Sequence, residues 1–161
     1  MPARITCHAA TLVRLSATPL RAALGACAFA VLLTALWAPL IQSVHGYPAG
    51  EGAYRALTNI CHQYPSRCVW VAGRPMALCA RCAAGYLGIV IAAVAIPRLG
   101  WRRHARLAGV ALVAAAAVEP LGHLLGGGAS NLILRLILGI AGGIGMCLAL
   151  FPHMGPQTGS R

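Results

Sequence analysis

Apolar residues along this chain fall into long blocks rather than alternating with polar ones. Four blocks stand out, at about Ala22 to Val44, Met76 to Ile96, Leu107 to Leu125 and Asn131 to Phe151. A helix rises about 1.5 Å per residue, so about 20 apolar residues cross about 30 Å of hydrocarbon. The pattern therefore predicts an all-α polytopic membrane protein, a bundle of four transmembrane helices. Residues 1–21 read as an N-terminal tail and 152–161 as a flexible C-terminal one. A cleaved signal peptide is the rival reading of the first block. Its apolar part is normally about 7–15 residues long and ends in a small-x-small site. This block is longer, and Pro39, Ile41 and Gln42 form no such site, so the first helix is expected to stay attached.

Turn formers set the joints. His45 to Pro75 carries Gly46, Pro48, Gly50, Gly52, Pro65, Gly73 and Pro75, which predicts a loop with one short helix near Ala53 to Cys61. Pro75 suits the first position of the second helix, where its missing N–H costs nothing. Cys79, Arg81 and Cys82 then belong to that helix's first turns, and Pro97 ends it. Glu119-Pro120 interrupts the third block, and Gly126 to Gly128 form a turn. Gly139 and Gly143 have the small-xxx-small spacing that lets helices approach closely.

Composition strengthens the membrane reading. Of the 161 residues, 59% are apolar and 9% charged, too few polar groups to cover a water-soluble domain. The length suits one compact bundle without a second domain. All 13 basic residues are arginines, and Glu51 and Glu119 are the only acids. The arginines are scattered or flank apolar runs and do not interleave with aromatics, so nucleic acid is not the expected partner; the lipid bilayer is. Arg4, Arg14 and Arg21 fall on the same side as Arg98, Arg102, Arg103 and Arg106 in a four-span chain. By the positive-inside rule that side is cytoplasmic, with both termini inside and the protein in the cell's inner (cytoplasmic) membrane. The Cys-rich loop is then extracytoplasmic, although it carries the sparser Arg55, Arg67 and Arg74.

Seven cysteines divide into two groups. Cys7, Cys27 and Cys147 lie in a tail or in apolar helices, where a lone cysteine is a small apolar filler. Cys61, Cys68, Cys79 and Cys82 gather around one loop. Cys79-Ala80-Arg81-Cys82 is a C-x-x-C pair, which can chelate metal or form a redox disulfide. A helix N-terminus favours thiolate, and Arg81 adds to that. Cys61 and His62, followed by Gln63, offer the residues of a four-ligand Cys/His set with Cys79 and Cys82. Structural disulfides are the plain alternative in an oxidising compartment. Glu119 is the one acid inside an apolar block, with His123 one turn later and Arg135 opening the fourth block after Ser130-Asn131. An ionisable group in a membrane helix points to function, or to an ion pair with Arg135 that fixes packing.

Taken together these residues resemble the domain of unknown function 2085 family of small bacterial and archaeal membrane proteins. The resemblance is carried by Cys61-His62-Gln63, Pro65, Arg67, Gly73, Cys79-Ala80-Arg81-Cys82, Tyr86 and Gly88. A looser block adds an acid in the third span, Ser130-Asn131, Arg135 and Gly139. The family usually has serine at the place of Cys68, glycine at that of Ala84, and Asp-Gly followed by Gln where Glu119, Pro120 and His123 stand. The resemblance implies a membrane protein with a Cys/His centre and brings no established activity.

Three functions fit. The first is a metal-binding membrane protein, with Cys61, His62, Cys79 and Cys82 around zinc or another soft ion, and with water, Cys68 or His123 able to replace one ligand. The second is a membrane thiol–disulfide oxidoreductase passing electrons to quinone, with Cys61 and Cys68 as a shuttle pair. The third is a channel, transporter or membrane-complex subunit without chemistry of its own. There Glu119, His123 and Arg135 line a polar path or dock a partner, and a homo-oligomer supplies the room that one chain lacks.

Overall fold

The computed structural model describes residues 3–99, 104–124 and 131–151, with side chains over 19–95, 104–122 and 131–151. The expected glycine turn, most of the arginine-rich loop, the C-terminal tail, Ser130 and the side chains of Cys7 and His123 lie outside those residues.

Helix α1 spans Ala3–His45, α2 Glu51–Thr58, α3 Ala80–Leu99, α4 Ala105–Leu124 and α5 Leu132–Leu150. A 3-10 turn at Pro65–Arg67 leads into strands β1, Cys68–Val71, and β2, Arg74–Cys79. Among the described residues, three helical stretches are long and apolar enough to cross a membrane: Pro19–His45, Ala105–Gly122 and Leu132–Leu150. Helix α3 adds a fourth apolar stretch, described over Ala80–Ala95. Phe29, Val94, Val118 and Ile137 are each more than half exposed, as they can be when the solvent is hydrocarbon.

The mostly helical expectation holds, but all-α needs correction, because β1 and β2 pair antiparallel into a small hairpin. Its turn is Ala72-Gly73, both at positive φ (50° and 76°) between the paired Val71 and Arg74. Two such residues make the type I′ turn whose twist matches a two-residue hairpin. The second helix is corrected with it. Pro75 pairs with Trp70 in the hairpin instead of opening a helix, and Met76, Ala77 and Leu78 are buried strand residues. Helix α3 begins only at Ala80 and runs through Pro97 to Leu99. Helix α4 likewise continues through Pro120.

Packing puts the chemistry at one end. Helix α3 lies between α1 and α5, and α5 also packs on α4. Adding a Cβ at Gly143 would drive it into the Gly85 carbonyl, and one at Gly139 would fall 2.7 Å from the Ala84 Cβ and against the Arg81 carbonyl. The two glycines thus bring α5 into backbone contact with α3. One core cluster joins Ala35 and Ala38 of α1 to Leu57, Cys61, Met76, Ala77, Leu78 and Ala83. A second, further along the helices, holds Ala28, Ile89, Ala92, Ala105, Cys147 and Leu148. The C-terminal end of α1, the hairpin and the start of α3 therefore meet at the first cluster, where Cys61 is buried.

Candidate metal centre

Cys61 reaches its place through the end of α2. The N–H groups of Ile60 and Cys61 both donate to the Leu57 carbonyl, at 3.1 and 3.0 Å, and Leu57 itself is buried. Tyr54 ties this turn to the hairpin, its hydroxyl donating to the Pro75 carbonyl at 2.6 Å. After Cys61 and His62 the chain reverses at Gln63, whose φ of 53° lies in the left-handed region. The Gln63 Nε2 donates to the Tyr54 carbonyl at 2.8 Å and holds that bend. Left-handed backbone at a non-glycine residue costs roughly 1–2 kcal/mol, so the bend is maintained by its surroundings.

Cys79 ends β2, and Cys82 lies three residues on, in the first turn of α3. Their sulfurs and that of Cys61 all lie within 4.8 Å of one another. Zinc–sulfur bonds of about 2.3 Å set tetrahedral sulfurs about 3.8 Å apart, so this spacing suits a thiolate-bound ion. The Cys79 N–H donates to Cys61 Sγ at 3.2 Å. Hydrogen bonds from the Cys79 and Cys82 thiols, and from the backbone N–H groups of Cys79 and Gln63, hold the Cys61 thiol well below the usual range despite burial. The Cys79 thiol is pushed up, chiefly because it donates a hydrogen bond to the Cys61 sulfur. Hydrogen-bond donors thus converge on the Cys61 sulfur and favour its thiolate, which is the metal-binding form.

The other expected members stand around the trio. His62 is exposed and stacks on Tyr64, with ring centroids 6.0 Å apart and planes 6° from parallel. The Arg67 guanidinium covers Tyr64 at 5.5 Å. His62, Gln63, Tyr64 and Arg67 line a cavity of about 310 Å³ together with Ile60 and the three cysteines. Cys68 is buried opposite Cys79 across the hairpin. Burial first, then the charges of Cys79 and Cys61, push its thiol up to about 11. Tyr86, one turn beyond Cys82, is half-buried and packs against both core clusters.

Arg81 turns elsewhere. Its guanidinium pairs with Glu119 of α4, and the Nε of Arg135 of α5 reaches the other carboxylate oxygen at 3.3 Å. The side chains of Glu119 and Arg135 are 7% and 8% exposed, so this cluster is buried between three helices. Asn131 caps α5, its side chain accepting from the Leu134 N–H at 2.8 Å.

A family model described as a predicted membrane protein, DUF2085, matches residues 61–149, more than half of the chain. The protein belongs to the DUF2085 family. Every member of the cysteine trio and of the buried charge cluster falls inside the matched segment. No curated protein and no solved structure matches the chain.

Two features of this DUF2085 protein had no motif to announce them. Tyr54 anchors the Cys61 turn from outside the matched segment. The pairing of Arg81 with Glu119 joins residues far apart in sequence; only the scarcity of acids hinted that Glu119 would attract more than one arginine.

Proposed function

We propose that this protein is a four-span protein of the inner membrane that holds zinc, or another soft metal ion, on Cys61, Cys79 and Cys82 at the extracytoplasmic face. The observation that carries this reading is the approach of three sulfurs from two separate segments to within 4.8 Å of one another. Thiolate sulfur prefers soft ions, and N–H donors on a ligand sulfur are the outer contacts that tune such sites. Helix α3 supplies the fourth crossing; its 20 residues amount to about 30 Å. The arginine distribution sets the orientation, with both termini cytoplasmic.

The test is elemental analysis with thiol counting on full-length protein purified in detergent without chelators. One bound ion per chain, with the three thiols protected from alkylation until the metal is removed, is the expected result. Metal-free protein with three freely alkylated thiols would reject the reading. Reporter fusions after Ser43 are expected outside the cytoplasm and those at Gln157 inside; the reverse pattern would overturn the orientation.

A thiol–disulfide reading has one observation in its favour, the position of Cys68 directly across the hairpin from Cys79. Onward transfer of electrons to a quinone belongs to that reading alone. It predicts reversible loss of thiols in pairs and no bound metal in the same preparation.

A further inference from the structure

The trio supplies three sulfurs, whereas zinc in proteins is almost always four-coordinate. Among the described residues no fourth histidine, cysteine or carboxylate joins the cluster. Beside it lies the cavity of about 310 Å³, lined by the same three-cysteine site and by a wall of His62, Tyr64 and Arg67. Stacking occupies the faces of that wall: His62 lies parallel to Tyr64, and Arg67 covers the Tyr64 ring. The Arg67 guanidinium, set over Tyr64 at the cavity wall, carries a planar fork of N–H donors that suits a bidentate carboxylate.

The chain has no carboxylate side chain to offer there. Glu51 pairs with Arg55, and Glu119 pairs with Arg81 and Arg135. These are the only two acidic residues in the sequence. We infer that the cavity takes a small thiol that also carries a carboxylate, its sulfur on the metal's fourth position and its carboxylate on Arg67. This rests on the metal reading above. With an ion held on Cys61, Cys79 and Cys82, the thiol would lose its proton to water and its sulfur would replace a solvent ligand of that ion. No oxidation state changes.

The experiment uses the full chain in detergent, loaded with cobalt(II), whose sulfur-to-metal absorption reports each thiolate that joins it. The protein is titrated with mercaptoacetate and, separately, with mercaptoethanol, which has the thiol without the carboxylate. Mercaptoacetate is expected to bind about tenfold more tightly, the scale of one charge-assisted contact. Arg67→Gln should abolish that preference while leaving cobalt affinity and the mercaptoethanol response unchanged. Arg67→Lys, which keeps the charge and loses the planar fork, should retain only part of it. Equal affinities in the parent protein, with cobalt bound, would overturn this inference and leave the metal reading standing. A thiol that strips cobalt instead of joining it would overturn the inference too. Failure to take up cobalt at all would remove the metal reading and the inference with it.

Discussion

Around the start of α3 two clusters stand on different sides of the same turn. On one side are the sulfurs of Cys61, Cys79 and Cys82; on the other are the charges of Arg81, Glu119 and Arg135. The cysteine side borders a cavity, and one of its three members comes from the end of α2, just before the bend at Gln63. The charge side joins three helices, and two of its three side chains are less than a tenth exposed. An open cluster of polarisable atoms can accept a ligand. A closed cluster of opposite charges in a low-dielectric setting is destabilising to break, whatever it contributes when whole. The motif Cys79-Ala80-Arg81-Cys82 thus serves both sides, its cysteines facing the cavity and its arginine holding α4.

The sharpest way to break that contrast is to remove a sulfur. Cys61→Ser, Cys79→Ser and Cys82→Ser are each expected to lower metal affinity by at least about 100-fold, with the helical fold retained. Cys27→Ser and Cys147→Ser should leave metal content unchanged. Elemental analysis and circular dichroism of the same preparations would decide it. If Cys61→Ser retains full metal content, Cys61 and the C-x-x-C pair do not form one site.

The charge side should fail differently. Glu119→Ala leaves buried arginine charge without its carboxylate and is expected to cost about 3–5 kcal/mol. The yield of folded, monodisperse protein in detergent should fall steeply, whereas exposed Arg106→Ala should have no measurable effect. Equal yields for the two variants would show that the buried cluster is not architectural.

Two smaller effects sharpen the boundary of the cysteine side. Cys68→Ser should keep the metal and lower stability by about 1 kcal/mol, because it places a hydroxyl in a buried site. Loss of metal in that variant would enlarge the centre to four sulfurs. Ala72→Gly relieves a left-handed φ at a type I′ turn and is expected to raise stability by about 0.5–1 kcal/mol, read as a higher thermal midpoint.

Three of the four apolar blocks match helices long and apolar enough to cross a membrane, because hydrocarbon demands length and apolarity and both can be read one residue at a time. The hairpin was not legible in the sequence. Val69-Trp70-Val71 is too short a run to stand out, and Pro75 looked like a helix start because proline suits that position too. The cysteine trio was legible in part. C-x-x-C spacing places two sulfurs on one face, and Cys61-His62 in the preceding loop offers further donors of the right chemistry. His62 was grouped with it on chemistry alone, yet in the structure it stacks on Tyr64 beside the trio. Arg81 was read as support for thiolate because it sits between the cysteines; tertiary packing turned it to Glu119 instead.

The carbonyl of Arg81 lies against Gly139, so the turn that carries Cys79 and Cys82 is pressed backbone to backbone on α5. Cys61 has a separate support: it is buried in the core cluster with Ala35, Ala38 and Leu57, its N–H donates to the Leu57 carbonyl, and the bend beyond it is tied to Tyr54. The three sulfurs are therefore set from two sides, Cys79 and Cys82 by the seat of their turn on α5 and Cys61 by the core that joins α1 to α2. Their spacing is then a property of how the helices pack, so a substitution at Gly139 or Leu57, neither of them a ligand, would disturb the fit to an ion from opposite sides.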